Sequence, residues 1–165
     1  MAVSPSWLPP ALKYANYKGD WTQFLRVIYS IFEQDFKKTN IQYEGVKLSF
    51  DARIENGKEM VFWHLIQRDN DKLDDRLPDF RRCERIPWPK PIIEHPHESS
   101  VSVWENTRKK QIRILMWLEA LDYLVVLGKR PKEIILITAY CTDIESQRRK
   151  IIKERDAFLN AKAAP

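Results

Sequence analysis

Between Val101 and Tyr140 the sequence holds four strand-like apolar segments, Val101 to Trp104, Gln111 to Leu118, Asp122 to Leu127 and Glu133 to Tyr140, separated by short polar links. A crossover to a parallel neighbour needs roughly a dozen residues or more, so strands this closely spaced pair antiparallel with the next in sequence. The last two are nearly continuous in Leu, Ile, Val and Tyr, as central strands are, and Gly128-Lys129-Arg130-Pro131 makes the turn between them. The pattern argues against a doubly wound parallel fold.

Upstream, Asp20 followed by Gln23 forms a capping-box pattern. Trp21, Phe24, Leu25, Ile28, Ile31, Phe32 and Phe36 then recur at helical spacing, which predicts a helix from about Trp21 to Lys37 with one apolar face. Val46, Leu48, Phe50, Ala52 and Ile54 alternate with polar residues, Asn56-Gly57 follows, and then comes the apolar run Met60 to Leu65. This reads as strand, type I′ turn, strand. The Asp-rich stretch from Asp69 to Asp75 reads as a loop. Pro78 suits the first turn of a short helix reaching about Arg85. Ile86-Pro87-Trp88-Pro89-Lys90-Pro91 reads as an extended connection, because proline lacks an amide donor and restrains its predecessor. Asp143 to about Ala161 reads as a charged, basic helix with a narrow apolar stripe.

The expected fold is therefore α+β: an N-terminal helix, a mostly antiparallel sheet of about five to six strands, a short middle helix and a C-terminal basic helix. At 165 residues, 44% hydrophobic and 12% aromatic, the chain suits one domain with a continuous core, which excludes disordered and fibrous classes. Residues 1–19, punctuated by Pro5, Pro9 and Pro10, read as an extended arm docked by Trp7, and 20–162 as the folded domain. No apolar run approaches the ~20 residues of a membrane-spanning helix, and MAVSPSWLPP has neither a basic nor an apolar leader region. With only Cys83 and Cys141, a cytoplasmic, reducing setting is expected, without membrane contact.

Charge is unevenly spread. Residues 1–75 hold 10 Lys and Arg against 11 Asp and Glu, whereas residues 76–165 hold 18 against 12. The basic half suits a polyanionic partner, or is an ordinary solvated surface. The four glycines form no phosphate-cradling loop or dinucleotide fingerprint, and His95-Pro96-His97 stands without a metal-binding companion motif, so no cofactor and no metal are expected.

Three clusters remain as candidate chemistry. His64 sits in Val61-Phe62-Trp63-His64-Leu65-Ile66-Gln67-Arg68, either as a satisfied core residue or as an acid or base that titrates near neutrality, with Arg68 shortly after. Arg81, Arg82 and Arg85 crowd one short helix, where Arg81 and Arg85 share a side and Arg82 turns away. They suit bidentate phosphate contact, or ion pairing with Asp71, Asp74, Asp75 and Asp79. Thr138 and Tyr140 alternate onto one face at a strand end and present a hydroxyl and a phenol together.

Taken together, Phe62-Trp63-His64-Leu65 with Arg68, then Arg81-Arg82-Cys83-Glu84-Arg85-Ile86, then Asp122 to Leu127 leading to Leu136-Ile137-Thr138-Ala139-Tyr140, resemble phage-related members of the barnase/EndoU/colicin/RelE-like ribonuclease superfamily over about residues 60 to 155. The resemblance implies a metal-independent endoribonuclease of toxin or effector type. RNA, such as tRNA or mRNA, would be its substrate, and an antitoxin or immunity protein a further partner. It implies His64 as base or acid, Arg82 and Arg85 on the phosphate with Arg68 and Arg81 in support, and Thr138 and Tyr140 at the strand end. Trp88 or Trp104 would stack a base. A non-catalytic nucleic-acid-binding module and a phage or mobile-element protein-interaction factor are the alternative readings.

Overall fold

The computed structural model describes residues 3–68 and 77–164. The loop expected over Asp69 to Asp75 lies outside the described residues. Helix α1 (Trp21–Phe32) begins where the sequence places it: the Asp20 carboxylate accepts the Gln23 amide at 3.0 Å. Phe24, Ile28 and Phe32 are fully buried along one stripe, and a π turn over Glu33–Lys37 carries Phe36 into the same core.

The main sheet has six strands in the order β1 (Gln42–Tyr43), β2 (Val46–Phe50), β10 (Ile134–Cys141), β9 (Tyr123–Lys129), β8 (Gln111–Leu118) and β7 (Ser102–Arg108). The four strands from β7 to β10 form an antiparallel meander, and β2 lies parallel to β10. One face of the sheet packs on α1 and the middle helices. The other face packs Trp104, Leu115, Trp117, Leu124 and Val126 against Ile151 of α5 (Glu145–Ala163). Among the described residues no helix is long and apolar enough to cross a membrane.

Two expectations fail locally. Asn56 and Gly57 do form the turn, with φ of +49° and +78°, but the hairpin is only β3 (Ile54–Glu55) with β4 (Lys58–Glu59). The Met60 to Leu65 run is then helix, not strand: α2 spans Met60–Ile66. Its buried residues, Val61, Phe62, Leu65 and Ile66, recur at helical spacing, but a short run apolar at every position except His64 carries too little period to distinguish the two.

The proline segment is not fully extended either. After β5 (Gln67–Arg68), β6 (Leu77–Pro78) and α3 (Phe80–Glu84), helix α4 covers Pro89–Glu94. Pro89 and Pro91 fall in its first turn, where amides have no intrahelical acceptor to lose, and burial of Trp88, Ile92 and Ile93 favours that conformation. The N-terminal arm docks as expected: Trp7 stacks on His95 with ring centroids 4.4 Å apart, and the Leu12 amide donates to the Glu84 carbonyl at 2.7 Å.

Candidate phosphate-binding cleft

The site begins with an interruption in β10. Leu136 opposes Leu127, but the next paired residue, Thr138, opposes Val126, so Ile137 is the extra residue of a β-bulge. Pairing with β2 stops at Leu136, and α2 packs against β10. A helix this short leaves its last carbonyls without intrahelical donors, and side chains supply them. Thr138 Oγ1 donates to the His64 carbonyl at 2.8 Å, while Arg82 Nη1 donates to the carbonyls of Gln67 at 2.5 Å and His64 at 3.4 Å. The end of α2 thereby ties β10 to α3.

Asp79 holds α3 in place. One carboxylate oxygen accepts the Arg81 and Arg82 amides as an N-cap, and the other accepts Arg68 Nε at 2.7 Å and lies 3.8 Å from Arg82 Nε. Burial raises its pKa, but the Arg68 hydrogen bond, the Arg82 amide and the two guanidinium charges outweigh this and leave the carboxyl below its ordinary value. A carboxyl depressed in the folded state stabilises the fold fully above its unfolded pKa, about 3.9, and that contribution is lost as pH falls through the folded value. Urea unfolding of wild type should therefore weaken more steeply below about pH 4 than that of Asp79→Asn. Parallel pH profiles would show that the carboxylate contributes nothing.

Above this tie lies a cleft of about 480 Å³. His64, Arg82, Thr138 and Tyr140 line it, and Arg108, Lys109 and Arg113 enter from β7, β8 and the turn between them. Among the described residues these last three cations have no carboxylate partner. The one acid that lines the cleft among the described residues, Glu154, accepts Trp104 Nε1 at 3.2 Å and Asn106 Nδ2 at 2.7 Å. Arg113 has its Nε buried without a hydrogen bond, and burial followed by the Arg108 charge lowers its pKa, although guanidinium remains protonated. Burial raises the Tyr140 pKa, and the pull of Arg82, Arg108 and Arg113 does not reverse it. The phenol is therefore protonated at neutral pH, with the Arg82 guanidinium 5.6 Å from its ring centroid. Asp51 lies within electrostatic reach of His64.

Four of the residues singled out in the sequence thus meet at one cleft; the others do not. Arg85 stands over the Trp88 ring at 5.2 Å and donates to the Arg81 carbonyl, which directs it away from the cleft. Arg81 pairs with Asp143, and Arg68 with Asp79. Trp88 and Trp104 are buried and spend their indole N–H groups on the Pro9 carbonyl and Glu154, so neither offers a ring face to a base. Of the aspartates proposed to pair with the arginines, Asp71, Asp74 and Asp75 lie outside the described residues, and Asp79 is a partner of Arg68 and Arg82. His97 pairs with Glu44.

The sequence reading missed Arg108, Lys109 and Arg113. Their signal is the run Arg108-Lys109-Lys110 between two strand patterns, which marks a cationic hairpin tip. Lys109 and Lys110 have φ of +51° and +64°, the central pair of a two-residue turn that normally selects Asn-Gly. Lysine in this left-handed region costs about 1 kcal/mol or more per residue, and strain of this kind clusters at functional sites. The double replacement Lys109→Asn with Lys110→Gly should raise the thermal midpoint by about 2–4 °C or more while weakening polyanion binding. A lower midpoint with unchanged binding would contradict this account of the turn.

No family model, curated protein or solved structure matches the chain at a significant level.

Proposed function

We propose that the protein is a metal-independent endoribonuclease of the kind its sequence resembles, cutting RNA by attack of a ribose 2′-hydroxyl on the adjacent phosphodiester. The observation that carries the reading is the convergence of His64, Arg82 and Tyr140, from α2, α3 and β10, on one cleft where Arg108, Lys109 and Arg113 have no carboxylate partner among the described residues. His64 takes the 2′-hydroxyl proton. The 2′-oxygen then bonds to phosphorus as the bond to the 5′-oxygen breaks, and Tyr140 donates the proton that the leaving oxygen needs. The products are a 2′,3′-cyclic phosphate and a 5′-hydroxyl.

Arg82 and Arg113 stabilise the charge on the non-bridging oxygens. The carbonyls of Gln67 and His64 already fix Arg82, so its guanidinium needs little reorganisation when charge develops. Thr138 commits its hydroxyl proton to the His64 carbonyl and is a positioning residue, not a donor to the phosphate.

The test is incubation of purified protein with single-stranded RNA in the presence of a chelator. Fragments ending in 2′,3′-cyclic phosphate, absent with His64→Ala, are the expected result. Binding without cleavage would instead assign the cleft to a nucleic-acid-binding module, and neither binding nor cleavage would overturn both readings.

A further inference from the structure

A second groove, of about 170 Å³, continues the cleft along the same face of the sheet and shares Arg113 and Ile137 with it. Its construction follows from strand register: Arg113 of β8, Gly128 of β9 and Ile135 of β10 lie side by side in one row across the three strands. The middle member has no side chain. A Cβ on Gly128 would stand 3.1 Å from Ile137 Cδ1, so the glycine lets the bulge residue Ile137 lie across β9. The apolar cluster under α5 comprises Trp104, Leu115, Trp117, Leu124 and Val126 and does not include Gly128 or Ile135. What results is a flat aliphatic floor with Arg113 at one side and Arg130 at the end. Arg130 pairs with Glu133, but both side chains are more than a third exposed, and such a pair is weak enough to yield to a phosphate.

We propose that this groove is a subsite for the nucleotide flanking the scissile phosphate, its base lying on Ile135 and Ile137 over Gly128 while Arg113 bridges the two sites. The inference rests on the RNA reading of the main cleft. A flat apolar floor matches the π face of any base, and the cations around it match the backbone phosphate. The subsite therefore selects single-stranded RNA with at least one nucleotide beyond the cleaved step, and discriminates weakly between bases.

Binding of labelled 2′-O-methyl oligonucleotides, which the chemistry leaves uncut, tests the subsite directly. Burial of one base face on this floor should make wild type gain about tenfold in affinity from dinucleotide to tetranucleotide. In Gly128→Val the added branches displace Ile137 and occupy the groove, and the gain should fall below about twofold. The backbone φ at Gly128 is not left-handed, so valine suits this strand position; thermal unfolding checks the fold. Gly128→Ala, whose Cβ is tight only against Ile137 Cδ1 and in ordinary contact with Ile137 Cγ1 and Ile135 Cβ, should lose part of the gain. Equal gains in wild type and Gly128→Val, or no gain in wild type, would overturn the subsite. A groove-dependent gain without cleavage of unmodified RNA would uphold the subsite and remove only the ribonuclease reading.

Discussion

Tyr140→Phe is expected to lower the rate of RNA cleavage by about 10²- to 10⁴-fold, the range that a positioned proton donor contributes, while RNA affinity changes by less than about twofold. The substitution removes one oxygen and keeps the ring that the Arg82 guanidinium faces at 5.6 Å. Because burial holds the phenol protonated, the effect should fall on kcat, where a donor acts, and not on KM. Single-turnover cleavage of a short RNA beside a binding titration makes the separation. Cleavage by Tyr140→Phe at the wild-type rate would leave Tyr140 as a wall of the cleft.

The largest effect on stability is expected from Trp117→Ala, about 3–5 kcal/mol, the range for truncating a large buried aromatic. Trp117 is fully buried, meets Trp104 edge-on at 6.3 Å, and donates its indole N–H to the Thr142 hydroxyl at 2.9 Å. Thr142 is buried too and would lose that partner. The guanidiniums of Arg148 and Arg155, both from α5, stand 5.1 and 5.3 Å from the ring. The truncation therefore opens a cavity and loosens the helix that packs over this half of the sheet. At this chain length the loss corresponds to a fall of about 6–20 °C in the thermal midpoint. A fall of less than about 2 °C would mean that Trp117 does not anchor α5.

Particular residues explain what could be read from the sequence. The meander from β7 to β10 was legible because strand spacing alone forbids crossovers, and α1 because Asp20 and Gln23 mark its start while its apolar residues keep helical period. Helix α2 was not, since a short run apolar at every position except His64 has too little period to read, and α4 was hidden by prolines that are harmless only in a first turn. At the site, His64, Arg82, Thr138 and Tyr140 stood out by residue type and strand alternation. What joins them did not. The bulge at Ile137 and the capping of α2 by Thr138 and Arg82 are tertiary facts with no local signature. Arg85 lies apart from Arg82 because its contact with Trp88, not helical phase alone, decides which guanidinium reaches the cleft. The burial of Trp88 and Trp104 was not legible, because composition does not tell a buried indole from an exposed one.

In the proposed reaction one phosphodiester sits between Arg82 and Tyr140. Diffraction from crystals of the protein bound to an uncleavable dinucleotide, with 2′-deoxyribose on the 5′ side of the linkage, tests it most directly. The phosphate is expected within hydrogen-bonding distance of the Arg82 guanidinium and the Tyr140 hydroxyl, with the 2′ carbon facing His64. A dinucleotide bound on another surface, with this cleft unoccupied, would contradict it.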